Sequence, residues 1–210
     1  MNRFKNRQTP HGNVVLHHGA NPVDDLPAFA LGYHMAARAL AVKFEEFAGY
    51  ADYEGYPIFF LYRQALELYL KALVYKGADV VGLLSKPLQK PTLFKKHGLK
   101  RLIPAIRLIF SKLEWSFEVN PFKSVSDIER LVEEVDEIDP DSFLFRYPVT
   151  TAGIATIDGA ITIDIILLSH ELDPLLELLD SACAVLKDHY QALCEARDEF
   201  AEYIHEFDER

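Results

Sequence analysis

Residues 57–77 read PIFFLYRQALELYLKALVYKG. Proline in a first turn and glycine just past an end bracket a helix, so the stretch predicts one helical element. Its apolar side chains, from Ile58 and Leu61 through Leu70 and Leu73, cover nearly the whole circumference at 100° per residue. A helix apolar on almost every side is a central one, walled in by others. One narrow stripe departs from this: Arg63, Glu67 and Lys71 fall at i, i+4 and i+8, with Gln64 beside them. Charges on so apolar a helix must be paired, reach an edge or line a cleft, because burying them alone costs too much. Two readings stay open on spacing alone. One is an i,i+4 salt ladder worth about 0.2–0.5 kcal/mol per pair; the other is a polar cleft that binds something.

The rest of the chain sets limits on both. Half of its 210 residues are apolar, enough for a proper core, and the net charge of −10 argues against unspecific coating of nucleic acid or anionic membrane. Apolar runs fall short of the roughly 18 residues that a membrane span needs, since Arg63, Glu67 and Lys71 interrupt the best candidate. The opening MNRFKNRQTPHGN lacks the apolar core of a signal peptide. Cys183 and Cys194 lie about 16 Å apart along one helical pattern, too far for a mutual disulfide. A cytoplasmic protein with reduced thiols is the expectation. Residues 1–22, polar and aperiodic, read as a flexible N-terminal arm, and residues 23–210 as a single helical domain. His11, His17 and His18 in the arm have no Cys or carboxylate at ligand spacing, so no metal site is expected there.

Helical spacing marks a first helix from Asp24 or Asp25, with Pro27 just inside it and Phe29, Tyr33, Ala36, Ala37, Leu40, Phe44 and Phe47 turned inward. His34 and Arg38 form an i,i+4 pair on its flank. After Gly77 a loop carrying Gly82, Pro87 and Pro91 is expected. A third helix follows from Leu93 or Gly98 to Leu113, with Pro104 marking its true start or a kink. Ser126 reads as the N-cap of a fourth, acidic helix that Pro140 stops. In the segment SFLFRYP, Phe143, Phe145 and Tyr147 alternate and Arg146 points the other way. IATIDGAITID is a strong β signal, with Asp158-Gly159 between two alternating runs, so a small hairpin is predicted at about 154–164. Asp164 caps a short helix through His170, Asp173-Pro174 opens a new one, and the last helix runs toward Ile204 with Leu175, Leu179, Leu186, Leu193 and Phe200 inward. Its acidic far end is expected to project and to serve a protein partner.

Charge is unevenly spread. Between Val80 and Leu113 eight positive side chains, Lys86, Lys90, Lys95, Lys96, Lys100, Arg101, Arg107 and Lys112, occur without one Asp or Glu. Such an island is either a phosphate or RNA contact or a docking face for the acidic stretch Glu114 to Asp141 that follows. Glycine-rich phosphate loops, HExxH, CxxC and G-x-S-x-G are absent from the sequence. His170-Glu171 and His205-Glu206 are isolated pairs, so neither metal nor cofactor is expected.

Three phrases in order, FLYRQALELYLKALVYKG, HGLKRL and SFLFRYP, resemble the HEPN superfamily, helical domains of bacterial toxin, defence and nucleotide-handling proteins. The resemblance covers roughly residues 28–150. It implies an all-α, up-and-down bundle, frequently dimeric, here with the small β-hairpin before a long C-terminal helix. Many members are metal-independent ribonucleases with an R-x(4–6)-H motif, and this sequence lacks it: Arg197 and His205 are separated by seven residues, Arg7 and His11 by three. No catalytic residue is therefore carried over. The resemblance does carry over a ligand-binding set of Arg63, Glu67, Lys71, His97, Arg146 and Tyr147. If these converge on one cleft, Arg63, Lys71 and Arg146 offer donors to a nucleotide or RNA phosphate. The expected function is then a nucleotide- or RNA-associated module of a bacterial defence, stress or toxin-antitoxin system, homodimeric and not a nuclease. The alternative is a non-enzymatic dimerisation or protein-interaction domain in which Arg63, Glu67 and Arg146 form a structural network and the Arg-Tyr-Pro turn is a clasp. A third is a ribonuclease with its histidine relocated to His97.

Overall fold

The computed structural model describes residues 22–47, 52–84, 97–115, 120–157 and 159–208, and these form an all-α bundle. Five helices appear among the described residues: α1 (Leu26–Glu46), α2 (Gly55–Leu84), α3 (Ile103–Lys112), α4 (Val125–Ile138) and α5 (Ile165–Asp208). Most of the expected arm, residues 1–21 with its three histidines, lies outside the described residues. So do Lys86, Lys90, Lys95 and Lys96 of the basic island. No described helix is long and apolar enough to cross a membrane.

The central helix is α2, as its apolar circumference requires: Ile58, Phe59, Tyr62, Leu66, Tyr69, Leu70 and Leu73 are all buried. It does not stop at Gly77 but continues to Leu84. Gly77 has a different task. A Cβ built there would come within 2.6 Å of Ile109 Cγ2, so the glycine lets α3 close onto α2. Pro104 stands in the first turn of α3, which starts at Ile103 after a short 3-10 turn at Leu99–Arg101.

Polar rungs fix the helix directions. Tyr62 Oη donates to Asp173 Oδ1 at 2.8 Å, and Tyr69 Oη to Asp180 Oδ1 at 3.0 Å. Each partner moves on by seven residues, two helical turns, so α2 and α5 run parallel. Burial, followed by the aspartate contacts, pushes both phenols above their ordinary pKa and keeps them as donors. The α1 helix is antiparallel to both: Asp24 meets Lys76 at 2.8 Å near one end, and His34 lies against Tyr62 and Asp173 further along. Likewise α3 and α4 are antiparallel, through Lys100–Glu137 at 3.0 Å and Arg107–Glu129 at 2.6 Å. These two described members of the basic island therefore dock on the acidic helix of their own chain.

Several sequence expectations are corrected. The N-terminus of α4 is held by Ser124, not Ser126: the backbone N–H groups of Lys123 and Ser124 both donate to Asp127 Oδ2 at 3.0 Å. Pro174 does not begin a new helix; α5 is continuous from Ile165. The bond lost at Pro174 is outweighed by Leu172, Leu175, Leu176 and Leu179, all fully buried around it. Asp173 does not cap, since its carboxylate is taken by His34 and Tyr62. Asp164 does cap, accepting from Leu167 N at 2.9 Å.

The β-hairpin at about 154–164 is not formed among the described residues, which contain no strand there. In its place a tight loop turns earlier, at Gly153 (φ +76°), with one bridge between Val149 and Ala155. Ile154 and Ile161 stay exposed, and an alternating run without an apolar surface to cover cannot hold a two-stranded ladder.

The inward face of α1 also differs. Ala30, His34, Ala37 and Ala41 are buried, whereas Phe29, Ala36, Leu40 and Phe47 point outward and Tyr33 and Phe44 are half-buried. Small side chains let α1 lie close on α2 and α5, which leaves the bulky stripe on the outside. At the far end of α5, residues 195–205 are exposed throughout, so the helix does project, and Phe200 lies outside the core.

Candidate functional site

The polar stripe of α2 is buried in the protein: Arg63 is 0 %, Glu67 2 % and Lys71 3 % exposed. Arg63 Nε donates to the Asp139 carbonyl, Nη1 to Glu67 Oε2 and Nη2 to the His97 carbonyl, each at 2.8 Å. The i,i+4 spacing read from the sequence is realised on both sides of Glu67, since Lys71 Nζ donates to its Oε1 at 2.5 Å. His97 Nδ1 meets the same Oε1 at 2.9 Å. A single carboxylate thus ties two cations of one helix to the start of the next segment.

Two acidic residues that spacing did not single out complete the cluster. Asp136 Oδ1 stands 4.0 Å from Arg63 Nη2 and accepts Leu99 N at 2.6 Å. Asp139 Oδ1 accepts Phe143 N and Leu144 N, and its Oδ2 lies 3.7 Å from Arg63 Nε without a hydrogen bond of its own. The signal for Asp136 was present in the sequence. It falls on the apolar stripe Ile128, Leu131, Val132 and Val135 of an otherwise amphipathic helix, where an acid needs a buried partner. Asp139 belongs to the Asp-Pro-Asp-Ser turn, in which Ser142 takes a left-handed φ of 57°.

Of the six predicted site residues, Arg63, Glu67, Lys71 and His97 come together. Arg146 and Tyr147 do not join them. Arg146 is exposed; its Nε donates to the Ser142 carbonyl at 2.7 Å and its guanidinium stands 5.7 Å from the Phe60 ring centre. Tyr147 stacks on Phe143 at 5.1 Å because the segment folds into a helical turn rather than an extended run. The two instead line a separate cleft of about 360 Å³ with Tyr56, Pro148 and Thr156. What clasps this loop onto α2 is Phe145, 4.2 Å from the Phe59 ring, together with the Asp139 carbonyl on Arg63.

The chemistry available to the seam follows from burial. Desolvation pushes the Glu67 carboxyl upward, but the hydrogen bonds and charges of Lys71, Arg63 and His97 outweigh it and hold the pKa below the ordinary value. Glu67 is therefore a fixed anion, and its stabilising contribution is complete above the unfolded-chain pKa of about 4.3 and lost as pH falls through the lower folded value. Urea titrations of wild type and Glu67→Gln should show a stability gap at pH 7 that narrows steadily below pH 4. A gap independent of pH would contradict this. His97 alone among the four reaches solvent, its side chain 46 % exposed with Nδ1 turned inward to Glu67.

Elsewhere, Cys183 and Cys194 are both free thiols, and burial followed by the Asp180 charge raises Cys183 to a pKa of about 12, far from a reactive thiolate. Groups of three or more His, Cys, Asp or Glu placed to hold a metal ion are absent among the described residues. Fold and site together define an all-α bundle braced by a buried ionic network. Compared with protein-family models, with curated proteins and with solved structures, the chain finds no significant match.

Proposed function

We propose that this chain is a non-enzymatic interaction module, a helical bundle of HEPN-like build that pairs with itself or another protein. On this reading the charged seam is an internal brace rather than a ligand cleft. The observation that carries it is the state of Arg63, which has no exposed surface and spends its three nitrogens on Asp139, Glu67 and His97 of its own chain. An anion could reach it only by displacing charge-assisted bonds already made. The bulky apolar residues left outside on α1 and the exposed end of α5 supply surface for a partner.

A second reading keeps one specific observation. His97 presents an exposed imidazole oriented by the Glu67 carboxylate, the geometry of a general base, and the Arg146–Tyr147 cleft is open. This favours a nucleotide- or RNA-associated protein of a bacterial defence or toxin-antitoxin system, with His97 as relocated base if RNA is cleaved. Titrating wild type against a labelled adenine nucleotide and a mixed RNA pool, read by fluorescence anisotropy and by gel, separates the two. The interaction module gives no saturable binding up to ~100 µM and no cleavage. Saturable binding lost in Arg146→Ala, or cleavage lost in His97→Ala, with the fold intact in each, would overturn it in favour of the second reading.

A further inference from the structure

We infer that a cavity between α1, α2 and α5 binds a small ligand that carries one negative charge on a flat apolar body, of the aromatic-carboxylate class. None of the seam's side chains lines this cavity, so the inference goes beyond the interaction-module reading and does not depend on it.

The space comes from small side chains. The cavity holds about 700 Å³, the size of a small-molecule site, and each of the three helices turns an alanine to it: Ala28, Ala72 and Ala184. Elsewhere α2 and α5 fill the space between them with fully buried Leu66, Tyr69, Leu175 and Leu179. Protein interiors pack as densely as organic crystals, so room on this scale beside such a core has to be built in. Val23 and Pro27 extend the apolar wall, and Tyr190 adds an aromatic one. Short, flat walls of this kind accept a planar body.

The charge of the ligand follows from which polar groups are already spent. Four charged side chains line the cavity: Asp24, Lys76, Asp180 and Lys187. Lys76 Nζ pairs with Asp24 at 2.8 Å and stands 4.7 Å from the Tyr190 ring centre. Asp180 accepts the Tyr69 hydroxyl at 3.0 Å. Lys187 alone has neither hydrogen bond nor ion pair among the described residues. One unspent ammonium beside apolar walls complements one carboxylate on an apolar body. A phosphate monoester fits worse, because its second charge would meet Asp24 and Asp180 with no further cation to offset them.

The cavity carries its own reporter. Cys194 lines it as a half-buried free thiol, whereas Cys183, its pKa pushed up to about 12, stays unreactive. The test is the rate at which iodoacetamide alkylates Cys194 in the full chain, read by mass spectrometry with three probes that share one ring: 1-naphthoate, 1-naphthalenemethanol and 1-naphthylmethylammonium. At ~1 mM, naphthoate should slow the reaction at least about 5-fold, the alcohol less, and the ammonium not at all. Lys187→Gln should bring naphthoate down to the level of the alcohol. Ala184→Trp, at an exposed helix position, should fill the cavity and remove the protection with circular dichroism and thermal melt unchanged. A wild-type Cys194 that reacts as fast with naphthoate as without it overturns the proposal, whatever fills the cavity instead. So does equal slowing by all three probes, or a naphthoate effect that Lys187→Gln leaves unchanged.

Discussion

Arg63→Ala is expected to lower folding stability by about 3–5 kcal/mol, seen as a large drop in the urea midpoint with little change in slope. The cause is what the deletion leaves behind. Glu67 and Asp139 are 2 % and 1 % exposed, and Asp139 Oδ2 has no hydrogen-bond donor to fall back on once the guanidinium is gone. The carbonyls of Asp139 and His97 lose their donors in the same step. Arg63→Lys should recover little, because a single ammonium cannot span three acceptors on three segments. An arginine held in readiness for a ligand in an open cleft would behave otherwise: its loss usually changes stability by no more than about 0.5 kcal/mol. The size of the effect therefore discriminates between the readings without any ligand being known.

Gly77→Ala should destabilise by about 1–3 kcal/mol, although alanine is the better helix former by roughly 1 kcal/mol. The sign is the point. A Cβ at 2.6 Å from Ile109 Cγ2 and 2.9 Å from Cδ1 forces α3 away from α2, and Ile109 is itself buried at the centre of that contact. Removing the obstacle tests the cause: in a double-mutant cycle with Ile109→Ala, the penalty of Gly77→Ala should fall by about 1 kcal/mol or more. If Gly77→Ala instead stabilises the protein, α2 and α3 do not pack as described. The comparison with Gly32 of α1 is informative, since a Cβ there meets nothing within 4 Å and alanine at that position should stabilise the chain.

How much of this was legible beforehand differs between fold and site. The all-α class and the central place of α2 followed from its apolar circumference, and the pairing of Glu67 with Arg63 and Lys71 from their i,i+4 spacing. Helix ends were less legible, because Gly77 and Pro174 carry strong local stop signals that tertiary packing overrides, at Ile109 in one case and around Leu175 in the other. The IATIDGAITID hairpin failed for the converse reason: a good local pattern has no apolar surface to lie on. On α1 the spacing picked the wrong inward face: of its residues only Ala37 is buried, because the alanine side with Ala30 and Ala41 packs first and leaves Phe29 and Leu40 outside. At the site, periodicity found charges on α2 but could not find what lies across from them, because Asp136 and Asp139 arrive through the chain's return from a distant helix. Arg146 was misplaced because the turn after Pro140 winds up on itself, so that its guanidinium finds the Ser142 carbonyl four residues back.

The claim on which the account stands is that Arg63 is sealed inside the protein, and the nitrogen-15 NMR signal of its side-chain Nε–H reports on it directly. A sealed Arg63 gives a resolved resonance, protected from exchange with water by its bond to the Asp139 carbonyl and unmoved by nucleotide or RNA. Rapid exchange, or a shift of that signal on adding either ligand, would contradict it.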